Sequence, residues 1–199
     1  VRLYEQMLET EKKRANLGRF LSPAIVETIM SADKALELGG CKQEATALFC
    51  DIRGVTPIAE RLEPAVLVEM LNEHFTALVD IIFQYQGTLD KYIGDAIMAV
   101  FGAPIAQEDD ACRAIQAAVA MQRKNTELNH MRAALGRPLL EIGIGLNSGE
   151  VVAGYFGAPE RMEFTIVGDE VNVASRLCSL ASAGQIVASE ATYAHVRGQ

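Results

Sequence analysis

Asp51 and Asp95 are the residues whose positions most need a chemical explanation. Asp51 follows an apolar run, residues 45–50, that reads as a buried strand. Asp95 stands with Gly94 between two further strand-like runs, residues 88–93 and 96–101, whose tight glycine-bearing connection predicts a β-hairpin. If these strands are neighbours, both carboxylates leave one sheet edge. Two hard oxygen ligands at such an edge suit Mg2+ or Mn2+, which keep waters and take up substrate phosphates. Taken singly, either Asp reads as the cap of a turn or helix. Gly54-Val55-Thr56, ahead of a helical stretch, offers backbone N–H groups to a phosphate. Lys91 lies within the first hairpin strand, where an ammonium needs a partner unless it snorkels from an edge. Asn172 and Arg176 are four apart on an expected helix and so share a face, as an ordinary solvent-facing pair or as phosphate and sugar ligands.

The elements that must position these residues follow from periodicity. Residues 1–19 read as an exposed helical leader with Leu3, Met7 and Leu8 on one face, and Ser22-Pro23 as a helix start with Ser as N-cap. Leu67, Leu71, Phe75, Leu78 and Ile82 mark one face of a helix over residues 64–84. Another helix is expected over 109–128, and a second hairpin from residues 139–146 and 151–156 turning at Asn147-Ser-Gly-Glu150. A helix over about 169–180 and a strand over 185–189 complete the chain. Hairpins interleaved with helices predict an α+β fold, a ferredoxin-like or palm-type mixed sheet covered by helices. Residues 1–40 are expected to be a helical leader and 41–199 one folded domain that carries these residues.

Composition bounds the class of partner. In 199 residues there are 18 Lys+Arg against 26 Asp+Glu, a formal charge of −8, which argues against a nucleic-acid binder. Half the residues are hydrophobic, enough for a substantial core. Cys41, Cys50, Cys112 and Cys178 form no C-x-x-C pair, and His74, His130 and His195 lie far apart, so neither a zinc site nor a disulfide framework is expected. A reducing cytoplasm, or the cytoplasmic portion of a larger protein, is the expected location. The initial Val suggests an excised piece of a longer polypeptide carrying an upstream sensor or regulatory domain.

Four ordered segments carry a resemblance. Phe49-Cys-Asp-Ile-Arg-Gly-Val-Thr56, Asp90-Lys-Tyr-Ile-Gly-Asp-Ala-Ile-Met98, Asn147-Ser-Gly-Glu-Val-Val-Ala-Gly154 and Phe164-Thr-Ile-Val-Gly-Asp-Glu-Val-Asn-Val-Ala-Ser-Arg176 resemble the class III nucleotidyl cyclase catalytic domain, over roughly residues 43–190. The resemblance implies that Asp51 and Asp95, with the backbone carbonyl of Ile52, bridge two Mg2+ or Mn2+ ions. It makes Lys91 and Thr165 the base-selecting positions, where adenylyl cyclases carry Lys and guanylyl cyclases typically Glu at the first. Thr at the second resembles a bacterial subclass related to bicarbonate-responsive soluble cyclases. Asn172 and Arg176 match the transition-state pair, and Gly54, Val55 and Thr56 the phosphate-binding turn.

The implied activity is conversion of ATP to cyclic AMP and pyrophosphate, in a homodimer with two shared sites. Guanylyl cyclase is a rival reading that Lys91 opposes. A diguanylate cyclase would need a G-G-[DE]-[DE]-F hairpin, which Tyr92-Ile-Gly-Asp-Ala96 is not, and a catalytically silent module would be expected to lack one of the four key residues. Val55 replaces the family's Phe, Glu150 stands near where some members carry a phosphate-binding Arg, and a phosphate-binding Lys would fall beyond Gln199.

Overall fold

Alternation along one strand divides the interior in two. In the computed structural model, which describes residues 11–18, 20–31 and 37–197, β1 spans Gly39–Arg53. Its even residues Leu48, Cys50 and Ile52 enter one core, and its odd residues Ala45, Ala47 and Phe49 the other. The remaining elements are α1 (Pro23–Ser31), α2 (Val55–Ala59), α3 (Pro64–Gln84), β2 (Thr88–Ile93), β3 (Ala96–Phe101), α4 (Asp110–Ala134), β4 (Glu141–Ala158), β5 (Arg161–Val167), α5 (Asp169–Leu180), β6 (Ile186–Ala188) and α6 (Glu190–Val196). The sheet order is β2-β3-β1-β4-β5, all antiparallel, with β6 joining β4 in parallel. The expected α+β architecture with a mixed sheet is therefore the observed one.

The first core packs α3 and α4 against the sheet through Met70, Leu78, Ile82, Ala117 and Met121. Each fully buried Leu, Ile or Met side chain there contributes about 1.5–3 kcal/mol. The buried stripe of α3 runs through Met70, His74, Leu78, Ile81 and Ile82, with Leu71 and Phe75 at its flank, so a histidine occupies the middle of an apolar face. The second core places α5 and β5 over the opposite face, through Ala174, Cys178 and Ile166.

Differences from the sequence reading have physical causes. The chain does not turn at Asn147-Ser-Gly-Glu150; residues 141–156 belong to β4, paired with β1 without a break from Arg53↔Glu141 to Gly39↔Tyr155. Positions 143, 145, 147 and 149 face α5, and each serves that contact. A Cβ on Gly145 would stand 2.6 Å from the Ala174 carbonyl oxygen and overlap the Cys178 backbone nitrogen, and one on Gly149 would meet the Glu170 side chain. Asn147 donates to the Glu170 carbonyl at 2.9 Å. The real hairpin joins β4 to β5 around Pro159-Glu160. The helix expected over 109–128 extends to Ala134, because buried Asn129 and Arg132 continue its inward face. Ser22 stands at the expected N-cap position, its carbonyl accepting from the Val26 N–H at 3.0 Å, and its hydroxyl donates to the Leu89 carbonyl at 2.6 Å, tying α1 to β2. Of the expected leader helix, residues 11–17 are helical and exposed or nearly so, and Leu3, Met7 and Leu8 lie outside the described residues.

Candidate active site

The register of β1 with β3 sets Asp51 opposite Ala96, which brings the turn residue Asp95 alongside it. The two carboxylates thus share one sheet edge, as their spacing predicts. Partial burial and the negative charge of Asp95 both raise the pKa of Asp51, while Arg53 opposes them. A carboxylate crowded by another is a place where a cation relieves repulsion, so this edge fits a divalent metal. Among the described residues no cluster of three or more His, Cys, Asp or Glu forms. A metal here would complete its shell from a carbonyl such as that of Ile52, from water and from phosphate oxygens, the habit of Mg2+ and Mn2+.

Arg53, which the sequence reading did not single out, holds this edge to α5. Its guanidinium pairs with Asp51 at 2.6 Å and donates to the Cys178 carbonyl near the end of that helix. The guanidinium lies where a Cβ on Gly143 would be. Gly54 follows with φ 69°, a left-handed conformation that turns the chain into α2. Val55 packs against the first core from this turn, in keeping with its apolar type, and Thr56 is exposed.

A second group gathers where the sheet curls. β2 and β5 stand at opposite ends of the strand order, yet Thr165 donates its hydroxyl proton to Asp90 Oδ2 at 2.6 Å. Lys91 lies 3.3 Å from Asp90 Oδ1 and 2.6 Å from Glu163 Oε1, so the strand lysine has the partners its position demands. Both pairings raise its pKa, against desolvation, which lowers it. The register of β2 on β3 shifts between Leu89 and Lys91, leaving Asp90 as the extra residue of a bulge. That bulge aims Asp90 inward, with its side chain only 2% exposed. A cleft of about 400 Å3 between α1, α3 and these strands reaches Asp90 and Lys91, with Ile25, Phe83, Leu89 and Phe164 among its walls.

Asn172 and Arg176 sit one turn apart on α5, both exposed. Among the described residues neither takes a hydrogen bond or ion pair from its own chain. No such bond joins the Asp51–Asp95 edge to the Lys91–Thr165 group either. Glu150, at the position where a phosphate-binding Arg is an option, pairs with Lys42 at 2.6 Å on the surface.

The fold and these sites define a nucleotide cyclase domain. The adenylate and guanylate cyclase catalytic domain matches residues 40–199, and the chain belongs to that family. An adenylate cyclase of Anabaena cylindrica is 38% identical over 147 residues, 71% of this chain and 28% of that protein. Among solved structures, the adenylyl cyclase CyaB from P. aeruginosa superposes with a TM-score of 0.77 at 39% identity, covering 80% of this chain and 83% of that one. The guanylyl cyclase Cya2 superposes with a TM-score of 0.76 at 40% identity, covering 79% and 80%. The chain spans less than a third of the length of the curated relatives it matches. Among the described residues no helix is long and apolar enough to cross a membrane.

Proposed function

We propose that this domain is an adenylyl cyclase, forming cyclic AMP and pyrophosphate from ATP at two equivalent sites of a homodimer. The observation that carries the adenine preference is the Lys91 ammonium, held on β2 by Asp90 and Glu163 and thus fixed as a hydrogen-bond donor. Adenine N1 accepts a hydrogen bond, whereas guanine N1 carries a hydrogen and repels a donor. The same core carries guanylyl cyclases, as Cya2 illustrates, so base choice rests on these contacts and not on the fold.

In the reaction the ribose 3′-oxygen bonds to the α-phosphorus, its proton leaves, and the bond to pyrophosphate breaks. Nucleophile and electrophile belong to one molecule, so catalysis is positioning plus charge stabilisation. Arg176 faces the charge developing on the α-phosphate, and Asn172 holds the ribose. Gly54, Val55 and Thr56 receive the phosphate chain. Two Mg2+ or Mn2+ ions, held by Asp51, Asp95 and the Ile52 carbonyl, would supply 3′-hydroxyl activation and neutralise the triphosphate. The exposure of Asn172 and Arg176, and the absence of a side-chain partner for either among the described residues, support a site completed by a second copy. An upstream sensor on the same polypeptide, ATP and the partner copy are the proposed partners.

The test is a product assay with ATP and with GTP, each with Mg2+ and with Mn2+. Cyclic AMP from ATP in clear excess over cyclic GTP is expected. Cyclic GTP as the main product, or no product from folded protein with Mn2+, would refute the reading.

A further inference from the structure

A free threonine hydroxyl is an indifferent judge of a purine. It accepts a hydrogen bond from the 6-amino group of adenine, and by rotating it donates equally well to O6 of guanine. From sequence, Thr165 is therefore a weak discriminator. The structure alters that expectation through Asp90.

Three observations converge on Asp90. It is the extra residue of the β2 bulge, so its side chain leaves the regular alternation of the strand and points inward. It is almost entirely buried, and its Oδ2 takes the Thr165 hydroxyl proton across 2.6 Å. Its other oxygen faces the Lys91 ammonium at 3.3 Å. Burial pushes the Asp90 carboxyl up, while the hydroxyl of Thr165 and the charge of Lys91 pull it back. With an ammonium beside it, the ionised carboxylate has no hydrogen to offer and accepts only.

We propose that Asp90 is a positioning residue for base selection, which commits the only proton of Thr165 and so makes its oxygen a strict acceptor toward the purine. The inference rests on the reading that Lys91 and Thr165 face the base. Lys91 Nζ–H then donates beside a Thr165 Oγ1 that can only accept. Adenine presents N1 as acceptor and its 6-amino group as donor, and fits at both positions. Guanine presents N1–H as donor and O6 as acceptor, and is opposed at both. An acceptor facing an acceptor leaves a desolvated oxygen without a partner, a cost that corresponds to about a tenfold loss in kcat/KM or more. Asp90 touches no part of the substrate in this account; it acts through Thr165.

The experiment compares kcat/KM for ATP and GTP in wild type, Asp90→Asn, Asp90→Ser, Thr165→Val and the Asp90→Asn/Thr165→Val double variant. Both substrates are assayed on one preparation, so the ratio does not depend on the fraction of protein that is folded. The expected result is an ATP:GTP ratio about tenfold lower in each Asp90 variant, driven by improved relative use of GTP. Thr165→Val should lower the ratio as well, and adding Asp90→Asn to it should lower it by much less than in the wild-type background, because the hydroxyl is gone and only the pairing with Lys91 is left to lose. A wild-type preference for GTP, or no cyclic nucleotide from ATP, would overturn the adenine reading and this inference with it. A wild-type preference for ATP that stays within twofold in both Asp90 variants would overturn the role of Asp90 alone. So would an Asp90→Asn effect that persists undiminished in the Thr165→Val background.

Discussion

At the scale of single residues, the site is a set of charges held in awkward places by their neighbours. Asp51 is raised by burial and by Asp95, so its ionised form is less comfortable in the fold than in water. Asp51→Asn should therefore abolish turnover, by about a hundredfold or more, while the metal-free protein loses no stability. Kinetics beside urea unfolding without metal checks both parts. A loss of stability matching the loss of activity would make Asp51 a structural residue. The pair Asp51 and Asp95 was legible in the sequence because each broke an apolar pattern at a strand end. Lys91, Thr165, Asn172 and Arg176 were legible only as parts of ordered motifs. Asp90 and Arg53 lie within those motifs, yet nothing in the sequence marks either. A bulge that turns Asp90 inward and a guanidinium reaching from Asp51 to the end of α5 leave no mark on composition or periodicity.

At the scale of elements, β4 and α5 decide how the exposed pair is presented. The bare positions Gly145 and Gly149 let α5 lie close on the sheet, and α5 carries Asn172 and Arg176. Gly145→Ala would push a Cβ into the backbone of α5. We expect a cost of about 1–3 kcal/mol from overpacking, measured by urea unfolding, and a fall in kcat larger than any rise in KM as Arg176 is displaced. Unchanged kcat in that variant would separate the helix position from catalysis. The same close approach explains why Asn147-Ser-Gly-Glu150 has the residue types of a turn and yet forms strand. Those residue types favour turns in isolation, but here they are small or hydrogen-bonding members of a strand under a helix. The helix of residues 64–84 was legible from its spacing alone, yet the spacing did not foretell His74 at its centre. His74 is 1% exposed, its ring nitrogens have no hydrogen-bond partner, and burial and the charge of Arg132 lower its pKa to about 4. The unfolded chain binds that proton near pH 6.5 and the folded chain does not, so stability falls as pH drops from 6.5 to 4, by about 3 kcal/mol from this group. His74→Leu should flatten that slope in urea unfolding measured across the window. An unaltered slope would assign the pH dependence elsewhere.

At the scale of the whole molecule, the curl of the sheet matters more than the order of its strands. β2 and β5 close on each other through Asp90 and Thr165, so the group proposed to select the base is gathered within one chain. Asn172 and Arg176, by contrast, stand exposed on α5 with no side-chain partner among the described residues. The acidic balance of −8 has a corresponding local meaning. A protein of this charge that takes a triphosphate needs cations at the contact, and the Asp51–Asp95 edge is where they fit. Fold class and strand pairs were readable at this scale because hairpins and helices alternate in sequence. The closure of β5 onto β2 was not, since no local pattern encodes the curvature of long strands.

The central claim, that each site combines the carboxylates of one chain with the Asn172–Arg176 pair of another, has a direct test. Asp51→Ala and Arg176→Ala proteins, each inactive alone, are mixed under conditions that allow subunit exchange, and cyclic AMP formation from ATP is measured. Random pairing should make half the dimers mixed, each with one intact site, and restore about a quarter of wild-type activity. No recovery in a mixture shown to contain mixed dimers would contradict the shared site.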